Sequence, residues 1–183
     1  MNYKDTSNNC LYAGTFDPFH YGHLQMIKIL SQKYDIVYVF IAKNYLKGKR
    51  MYSATQMIDA INLTLKENGI LNAFCIDLSH FLPTFVVNKL LKTKDYCRGT
   101  KNDHILDKSI RIVNKIFRIN TVYNDSKSNL SSTTIKMMFA NNEDVSNLVP
   151  KPVYDLMIKD LDKNNSKTVN NLSASTELNG REI

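Results

Sequence analysis

Short apolar stretches alternate with amphipathic stretches along most of this 183-residue chain. Five stretches have the β-branched, aromatic or otherwise apolar composition that is typical of buried strands. Between them, apolar residues recur at the three- and four-residue spacing of helices. The predicted strands are 10–13, 36–41, 73–76, 96–97 and 119–123, and the predicted helices are 24–30, 57–65, 85–91, 105–117, 132–139 and 153–161.

This alternation predicts a doubly wound, Rossmann-like α/β fold with a five-stranded parallel sheet, right-handed crossovers and helices on both faces. Since residues 36–41 show no polar alternation, we expect them near the sheet centre. The domain is predicted to span residues 1–162, and the Asn-, Ser- and Thr-rich residues 163–183 to form a disordered tail. Ligands of such sheets bind outside the carboxyl ends of the strands. The candidate site loops are therefore 14–23, 43–50, 78–82, 98–103 and 124–133.

Composition narrows the partners and the compartment. Twenty-four Lys and Arg against seventeen Asp and Glu give a net charge of +7, which favours anionic partners such as nucleotides and phosphorylated metabolites. The three cysteines form neither a disulfide framework nor a metal-ligand spacing, which fits a reducing compartment. No apolar run approaches the roughly 20 residues of a membrane helix, and the first residues are too polar for a signal peptide. We expect a cytoplasmic protein with neither a membrane nor a nucleic acid as partner.

The densest cluster of chemically active residue types is the segment Gly14–His23, which reads GTFDPFHYGH and lies between the first strand and the first helix. Gly14 lets the backbone approach a ligand, and the helix that opens after Gly22 offers N–H groups and a positive dipole end to a phosphate. His20 and His23 flank this turn, where imidazoles can donate hydrogen bonds to a phosphoryl group as its negative charge builds. The residues alone leave open that one histidine merely caps the helix and the other packs.

The segment resembles the H/T-x-G-H motif of the nucleotidyltransferase superfamily, and the chain as a whole resembles bacterial phosphopantetheine adenylyltransferases over about residues 10–160. Further blocks follow in the family's order. They are a lysine-bearing loop at Asn44–Ser53, a partial R-G-L-R at Arg98–Lys101, an acidic residue upstream of an Asn-basic pair at Asp107 and Asn114-Lys115, a serine run at Leu130–Lys136 and V-x-x-L-V-P at Val145–Pro150.

The resemblance implies an activity in which the phosphate of 4′-phosphopantetheine attacks the α-phosphorus of ATP, giving dephospho-coenzyme A and pyrophosphate with Mg²⁺ as cofactor. It also implies assembly into homo-hexamers. Since in-line transfer of this kind needs no covalent enzyme intermediate, the site has to position its substrates and neutralise charge.

The resemblance also assigns roles to residues. His23 would stabilise the transition state, with His20 and Lys47 as further catalytic candidates, and Thr15 and Phe16 would bridge ATP and acceptor. Lys47 would hold the acceptor phosphate, although Lys49 is only two residues away and that choice stays open. Arg98 and Leu82 would line the pantetheine site. The other ATP-binding candidates are Gly99, Thr100, Lys101, Asp107, Lys127, Ser128, Asn129, Leu130, Ser131, Ser132 and Thr133.

Departures from the family pattern keep other functions open. His20 stands where phosphopantetheine adenylyltransferases usually carry Thr, so the first block is equally similar to nicotinate-nucleotide adenylyltransferases. Lys101 replaces an arginine and loses its bidentate grip on phosphate, and Asp107 is shorter than the usual Glu. A CTP-using enzyme and a non-catalytic nucleotide- or RNA-binding module are the remaining alternatives. We favour phosphopantetheine because Cys97–Lys101 fits that family and because the chain contains no Trp for stacking a nicotinate ring.

Overall fold

The computed structural model describes residues 8–43, 50–78, 82–99, 104–124 and 130–161, and at 104–107 and 124 it describes the backbone alone. The strands are β1 (Asn9–Gly14), β2 (Ile36–Ile41), β3 (Ala73–Ile76), β4 (Asp95–Gly99) and β5 (Asn120–Asn124). The helices are α1 (Tyr21–Ser31), α2 (Ala54–Glu67), α3 (Thr84–Leu90), α4 (His104–Ile116), α5 (Ser132–Ala140) and α6 (151–161). The predicted boundary at residue 162 and the tail 163–183 lie outside the described residues and remain predictions.

The five strands form one parallel sheet in the order β3-β2-β1-β4-β5, which confirms the doubly wound prediction. From β1 the chain moves outward through β2 to β3, then returns to the other side of β1 for β4 and β5. β2 is paired on both edges and lies beside the central strand β1, so the expectation that residues 36–41 lie near the sheet centre is confirmed. The strand order therefore reverses between β1 and β4, where doubly wound sheets bind ligands.

Two apolar layers cover the sheet, because successive residues of a strand face opposite sides. On β1, Cys10 and Tyr12 pack into a layer that includes α1, α2 and α6, whereas Leu11 packs into a layer with residues of α3 and α4. Val153 and Met157 of α6 are fully buried in the first layer, so this helix packs against the rest of the domain. All three cysteines are free and buried.

Among the strands, the largest boundary difference is at β4, which runs from Asp95 to Gly99 where the sequence predicts only residues 96–97. Asp95 and Arg98 have polar side chains that do not fit a strand pattern, yet both are buried. The Asp95 carboxylate accepts hydrogen bonds from the hydroxyl of Tyr34 at 2.7 Å and from the amide of Asn120 at 2.6 Å. These partners satisfy the polar group, so it can lie inside the sheet. Within the described residues, no helix is long and apolar enough to cross a membrane.

Candidate active site

The loop between β1 and α1 lies at the point where the strand order reverses. Gly14 ends the central strand, Gly99 ends the neighbouring β4, and residues 15–20 lead from β1 into the first turn of α1. The carbonyl of Leu148 accepts the backbone N–H of Tyr21 at 3.1 Å, which fastens the segment before α6 to the start of α1. The predicted H-x-G-H segment is thus placed at the carboxyl edge of the sheet.

His20 and His23 cap helix α1 together. His20 is the N-cap residue, with extended backbone, and its Nδ1 accepts the N–H of Gly22 at 3.1 Å. His23, in the first turn, accepts the N–H of His20 on its own Nδ1 at 3.3 Å. The two rings stack with centroids 3.7 Å apart and planes 24° apart. This is a capping box in which imidazoles take the places that Ser or Thr and Glu normally hold.

These hydrogen bonds fix the tautomer of both rings. A ring nitrogen that accepts a hydrogen bond carries no proton, so the neutral ring must carry its proton on Nε2. The network therefore assigns His20 and His23 as Nε2–H donors. Burial lowers the pKa of His20 to about 4, because the charged imidazolium is poorly solvated there. Capping and chemistry are compatible in this arrangement, since the capping nitrogen and the donor nitrogen are different atoms.

The aromatic residues of the loop anchor it in the core. Phe16 and Phe19 are fully buried, and the Phe16 ring meets those of Tyr12 and His23 with centroids 5.5 and 4.9 Å apart. A Cβ on Gly14 would lie only 2.8 Å from this ring. Gly14 is therefore required by the packing of Phe16, a reason that the sequence does not reveal. Because the Phe16 side chain is buried, the role predicted for this residue can only rest on its backbone.

Three charged residues that the sequence analysis does not single out hold this loop in place. The guanidinium of Arg50 donates from Nη1 to the carbonyl of Thr15 and from Nη2 to the carbonyl of Phe16 at 3.4 Å. The buried carboxylate of Asp17 accepts the N–H groups of residues 51 and 52 at 3.2 and 3.3 Å and pairs with Nζ of Lys136 at 3.0 Å. These partners lie 34 to 119 positions apart along the chain, so no local pattern announces them.

The predicted serine segment lies against the same loop. Ser131 is the N-cap of α5, and the hydroxyl of Ser132 donates to the carbonyl of Pro18 at 2.9 Å. Together with Lys136, this contact brings the start of α5 to the H-x-G-H loop. The first turn of a helix presents N–H groups to an anion. Those of α5 have no side-chain cap and can bind a phosphate, whereas those of Tyr21, Gly22 and His23 in α1 already donate to Leu148 and His20.

The remaining predicted site residues are only partly described. Arg98 is buried near the end of β4, beside Tyr12. Burial raises the pKa of the Tyr12 hydroxyl above its usual value, and the positive charge of Arg98 offsets part of that rise. Leu82 packs against the apolar layer that contains Leu11 and Val87. Of Asp107, only the backbone within α4 is described. Lys47, Lys49, Thr100, Lys101, Lys127, Ser128 and Asn129 lie outside the described residues.

The loop carboxylate does not fit a resident magnesium site. Asp17 already accepts two backbone N–H groups and the ammonium of Lys136. In the described stretches, no group of three or more His, Cys, Asp or Glu side chains is placed to hold a metal ion. The described part of the site instead presents N–H donors, the Nε2–H groups of the two histidines and the first turn of α5, which suit the oxygens of a polyphosphate.

The sequence profile of the cytidylyltransferase-like family matches residues 11–138, a stretch that includes the H-x-G-H loop, the sheet and most of α5. The chain belongs to this family. The superfamily resemblance expected from the sequence is thereby confirmed.

The chain is 30% identical over 159 residues to a phosphopantetheine adenylyltransferase of Campylobacter hominis, and the match covers 81% of this chain and 95% of the relative. A phosphopantetheine adenylyltransferase of Vesicomyosocius okutanii is also 30% identical, over 154 residues, covering 80% and 94%. The solved structure of a putative nicotinate-nucleotide adenylyltransferase from Vibrio parahaemolyticus superposes with a TM-score of 0.64 at 18% identity, covering 82% of this chain and 97% of that one. At that identity, the structural match supports the fold alone.

Proposed function

We propose that this chain transfers AMP from ATP to 4′-phosphopantetheine, forming dephospho-coenzyme A and releasing pyrophosphate. The observation that carries the proposal is the pair of Nε2–H imidazoles at the N-terminus of α1, beside the start of α5. The choice of acceptor is supported by similarity, over 81% and 80% of this chain, to two proteins named phosphopantetheine adenylyltransferase.

The proposed chemistry is a direct in-line displacement. A phosphate oxygen of the acceptor forms a bond to the α-phosphorus of ATP, and the bond from that phosphorus to the bridging oxygen breaks, so pyrophosphate leaves with the electron pair. Negative charge builds on the non-bridging α-phosphate oxygens as this happens. We assign the Nε2–H of His23 to donate to those oxygens, since a preorganised donor is most effective where charge develops.

The nucleotide is proposed to lie between the histidine pair at the start of α1 and the N-terminus of α5. Thr15 and the segment Leu130–Thr133 would contact its phosphates, with Gly99, Thr100, Lys101, Asp107 and Lys127–Asn129 completing the ATP site. Lys47 or Lys49 would hold the acceptor phosphate, and Arg98 and Leu82 would line its pantetheine arm. Since Asp17 does not fit a resident magnesium site, we propose that Mg²⁺ enters as part of MgATP, bound to the phosphates.

Two further proposals concern the setting of the reaction. We propose that the protein forms a homo-oligomer, which is supported by the large exposed side chains of Ile112 and Ile116 on α4, 61% and 69% exposed. Sedimentation of the purified protein tests this. The three free, buried thiols are consistent with the reducing cytoplasm that we propose as the compartment.

A second candidate acceptor is nicotinate mononucleotide. The observation that favours it is His20, which occupies the first position of the motif and caps α1 in place of a threonine. Only the acceptor differs between the two proposals, because the site described for ATP serves both.

Pyrophosphate release with MgATP, measured in parallel with each acceptor, tests both proposals. Turnover with 4′-phosphopantetheine supports the first proposal, and turnover with nicotinate mononucleotide alone replaces it with the second. The matched control is His23→Ala, which removes the proposed donor and must lower the signal by about 10²–10³-fold if the product comes from this site. No turnover by the wild-type chain with either acceptor would contradict the proposed function.

A further inference from the structure

Two segments far apart in the chain hold each other through reciprocal contacts. From residues 50–52, the Arg50 side chain reaches the carbonyls of Thr15 and Phe16. From residues 15–17, the Asp17 side chain reaches the N–H groups of Met51 and of residue 52. Each segment thus supplies one charged side chain and receives the other on its backbone, so neither can shift without the other.

The Arg50 contacts determine how the loop presents its N–H groups. In a trans peptide unit the C=O and the following N–H are coplanar and point in opposite directions. The Thr15 carbonyl belongs to the same unit as the N–H of Phe16, and the Phe16 carbonyl to that of the N–H of Asp17. When Arg50 holds both carbonyls on its own side, both N–H groups are directed away from the guanidinium.

The backbone at this point needs such a restraint. Phe16 has a φ of 43°, in the left-handed region that a residue with a side chain adopts only at a cost of about 1–3 kcal/mol. Its ring is fixed in the core beside His23. Packing of the ring thus fixes the side chain of Phe16, and the contacts of Arg50 with the Thr15 and Phe16 carbonyls fix its backbone.

We propose that Arg50 is a positioning residue, which holds the backbone of residues 15–17 in the reactive shape beside the His20–His23 pair. It acts through the carbonyls it binds and does not itself contact the reacting atoms. The role deepens the proposed function, on which its kinetic test depends. Arg50 belongs to the lysine-bearing loop Asn44–Ser53, so its contacts also attach this end of that loop to the H-x-G-H loop.

An arginine is suited to this role and a lysine is not. Arg50 uses Nη1 and Nη2 for the two loop carbonyls, while its Nε donates to the carbonyl of Tyr52 at 3.2 Å. The planar guanidinium holds three acceptors in one fixed geometry, whereas a lysine offers a single ammonium on a flexible stem.

The kinetic test uses Arg50→Met, which keeps much of the stem, and Arg50→Lys, which also keeps the charge. We expect kcat for pyrophosphate release to fall by about 10²-fold in Arg50→Met, because a small displacement of positioning groups is costly for in-line transfer. KM for ATP is expected to stay within about threefold, since Arg50 is not a phosphate ligand. The exposed Lys66→Met on α2 is the charge-matched control and is expected to keep wild-type values.

Chemical rescue separates positioning from general stability. Guanidinium chloride, below denaturing concentrations, is expected to restore activity to Arg50→Ala, where it can occupy the vacated site, while ammonium chloride is not. A rise of KM for ATP with unchanged kcat would show instead that Arg50 binds the nucleotide directly and would overturn the proposal. Unchanged kinetics in Arg50→Met would overturn it as well.

Amide hydrogen exchange tests the restraint without any substrate. The amides of Met51 and Tyr52, which donate to the Asp17 carboxylate, are expected to exchange about tenfold faster in Arg50→Met than in the wild type, because the segment that carries their acceptor is no longer held by Arg50. Peptides from α2 and β3 report whether the fold is intact. If exchange is faster in Arg50→Met but the wild type shows no turnover, the restraint by Arg50 stands and the proposed function is rejected. Unchanged exchange would reject the restraint whatever the activity.

Discussion

Replacement of His20 by Asn tests whether the pKa of the capping imidazole changes when the chain folds. The amide oxygen of Asn can take the place of Nδ1 as acceptor for the N–H of Gly22, and Asn is among the preferred N-cap residues. Unlike an imidazole, it cannot be protonated in the acidic range. His20→Asn therefore keeps the cap and removes the titration. At pH 7 we expect a modest loss of stability, about 1–2 kcal/mol, from the smaller buried side chain.

The pH dependence follows from the lowered pKa. His20 titrates near 6.5 when the chain is unfolded and near a pKa of about 4 when it is folded, because burial disfavours the charged ring. Between these values the unfolded state binds more protons than the folded state. The His20 contribution to stability is thus complete above pH 6.5, is lost as the pH falls towards 4, and changes no further below that. The full difference corresponds to about 3 kcal/mol.

Urea unfolding of the wild type and His20→Asn at a series of pH values from 7 to 4 measures this difference. Titrations shared by both proteins cancel when the two unfolding free energies are subtracted. We expect the advantage of the wild type at pH 7 to disappear and reverse as the pH approaches 4. If the difference between the two unfolding free energies stays constant with pH within about 0.5 kcal/mol, the pKa of His20 does not change on folding. The assignment of His20 as a neutral capping residue is then wrong.

Three further changes probe the site. His23→Ala is expected to lower kcat by about 10²–10³ with ATP binding largely kept, because the donated hydrogen bond strengthens only in the transition state; a large loss of binding in a titration would contradict this. Gly14→Ala is expected to cost about 1–3 kcal/mol in urea unfolding, since its Cβ meets the fixed ring of Phe16. Lys136→Met is expected to cost about 1 kcal/mol by removing the partner of buried Asp17, and an unchanged midpoint would argue against the ion pair.

The fold was predictable because its signals are local. Residues 36–41 and 73–76 are strands with the predicted bounds, and Ser53 caps α2 by accepting the N–H of Gln56 at 3.2 Å, as its position before an apolar helix indicates. The position of β1 at the centre was not predicted from the residues. The apolar composition of a strand shows that both of its faces are covered, but it does not give the position of the strand in the sheet. Since β1 and β2 are both paired on two edges, composition cannot tell which of them is central.

The candidate site was predictable only where a short motif carries it. The H-x-G-H histidines and the serines before α5 lie together at one edge of the sheet, as parallel strands and short connections require. The sequence presents capping and chemistry as alternatives for the histidines. They are not alternatives, because each imidazole has two nitrogens and the cap uses only Nδ1.

Long-range polar contacts explain what the sequence could not reveal about this loop. Asp17 and Arg50 look like ordinary loop residues, since a carboxylate before a proline and an arginine in a basic stretch are both typical of solvated turns. Their function becomes visible only when the fold brings residues 15–17 against residues 50–52. The left-handed Phe16 and the tight approach of its ring to Gly14 then make sense together: the loop adopts a costly backbone shape, and buried aromatic packing on one side and a guanidinium on the other maintain it. Strain that is held from two sides is expected where backbone N–H groups must be presented rigidly, and here it lies next to the histidine pair.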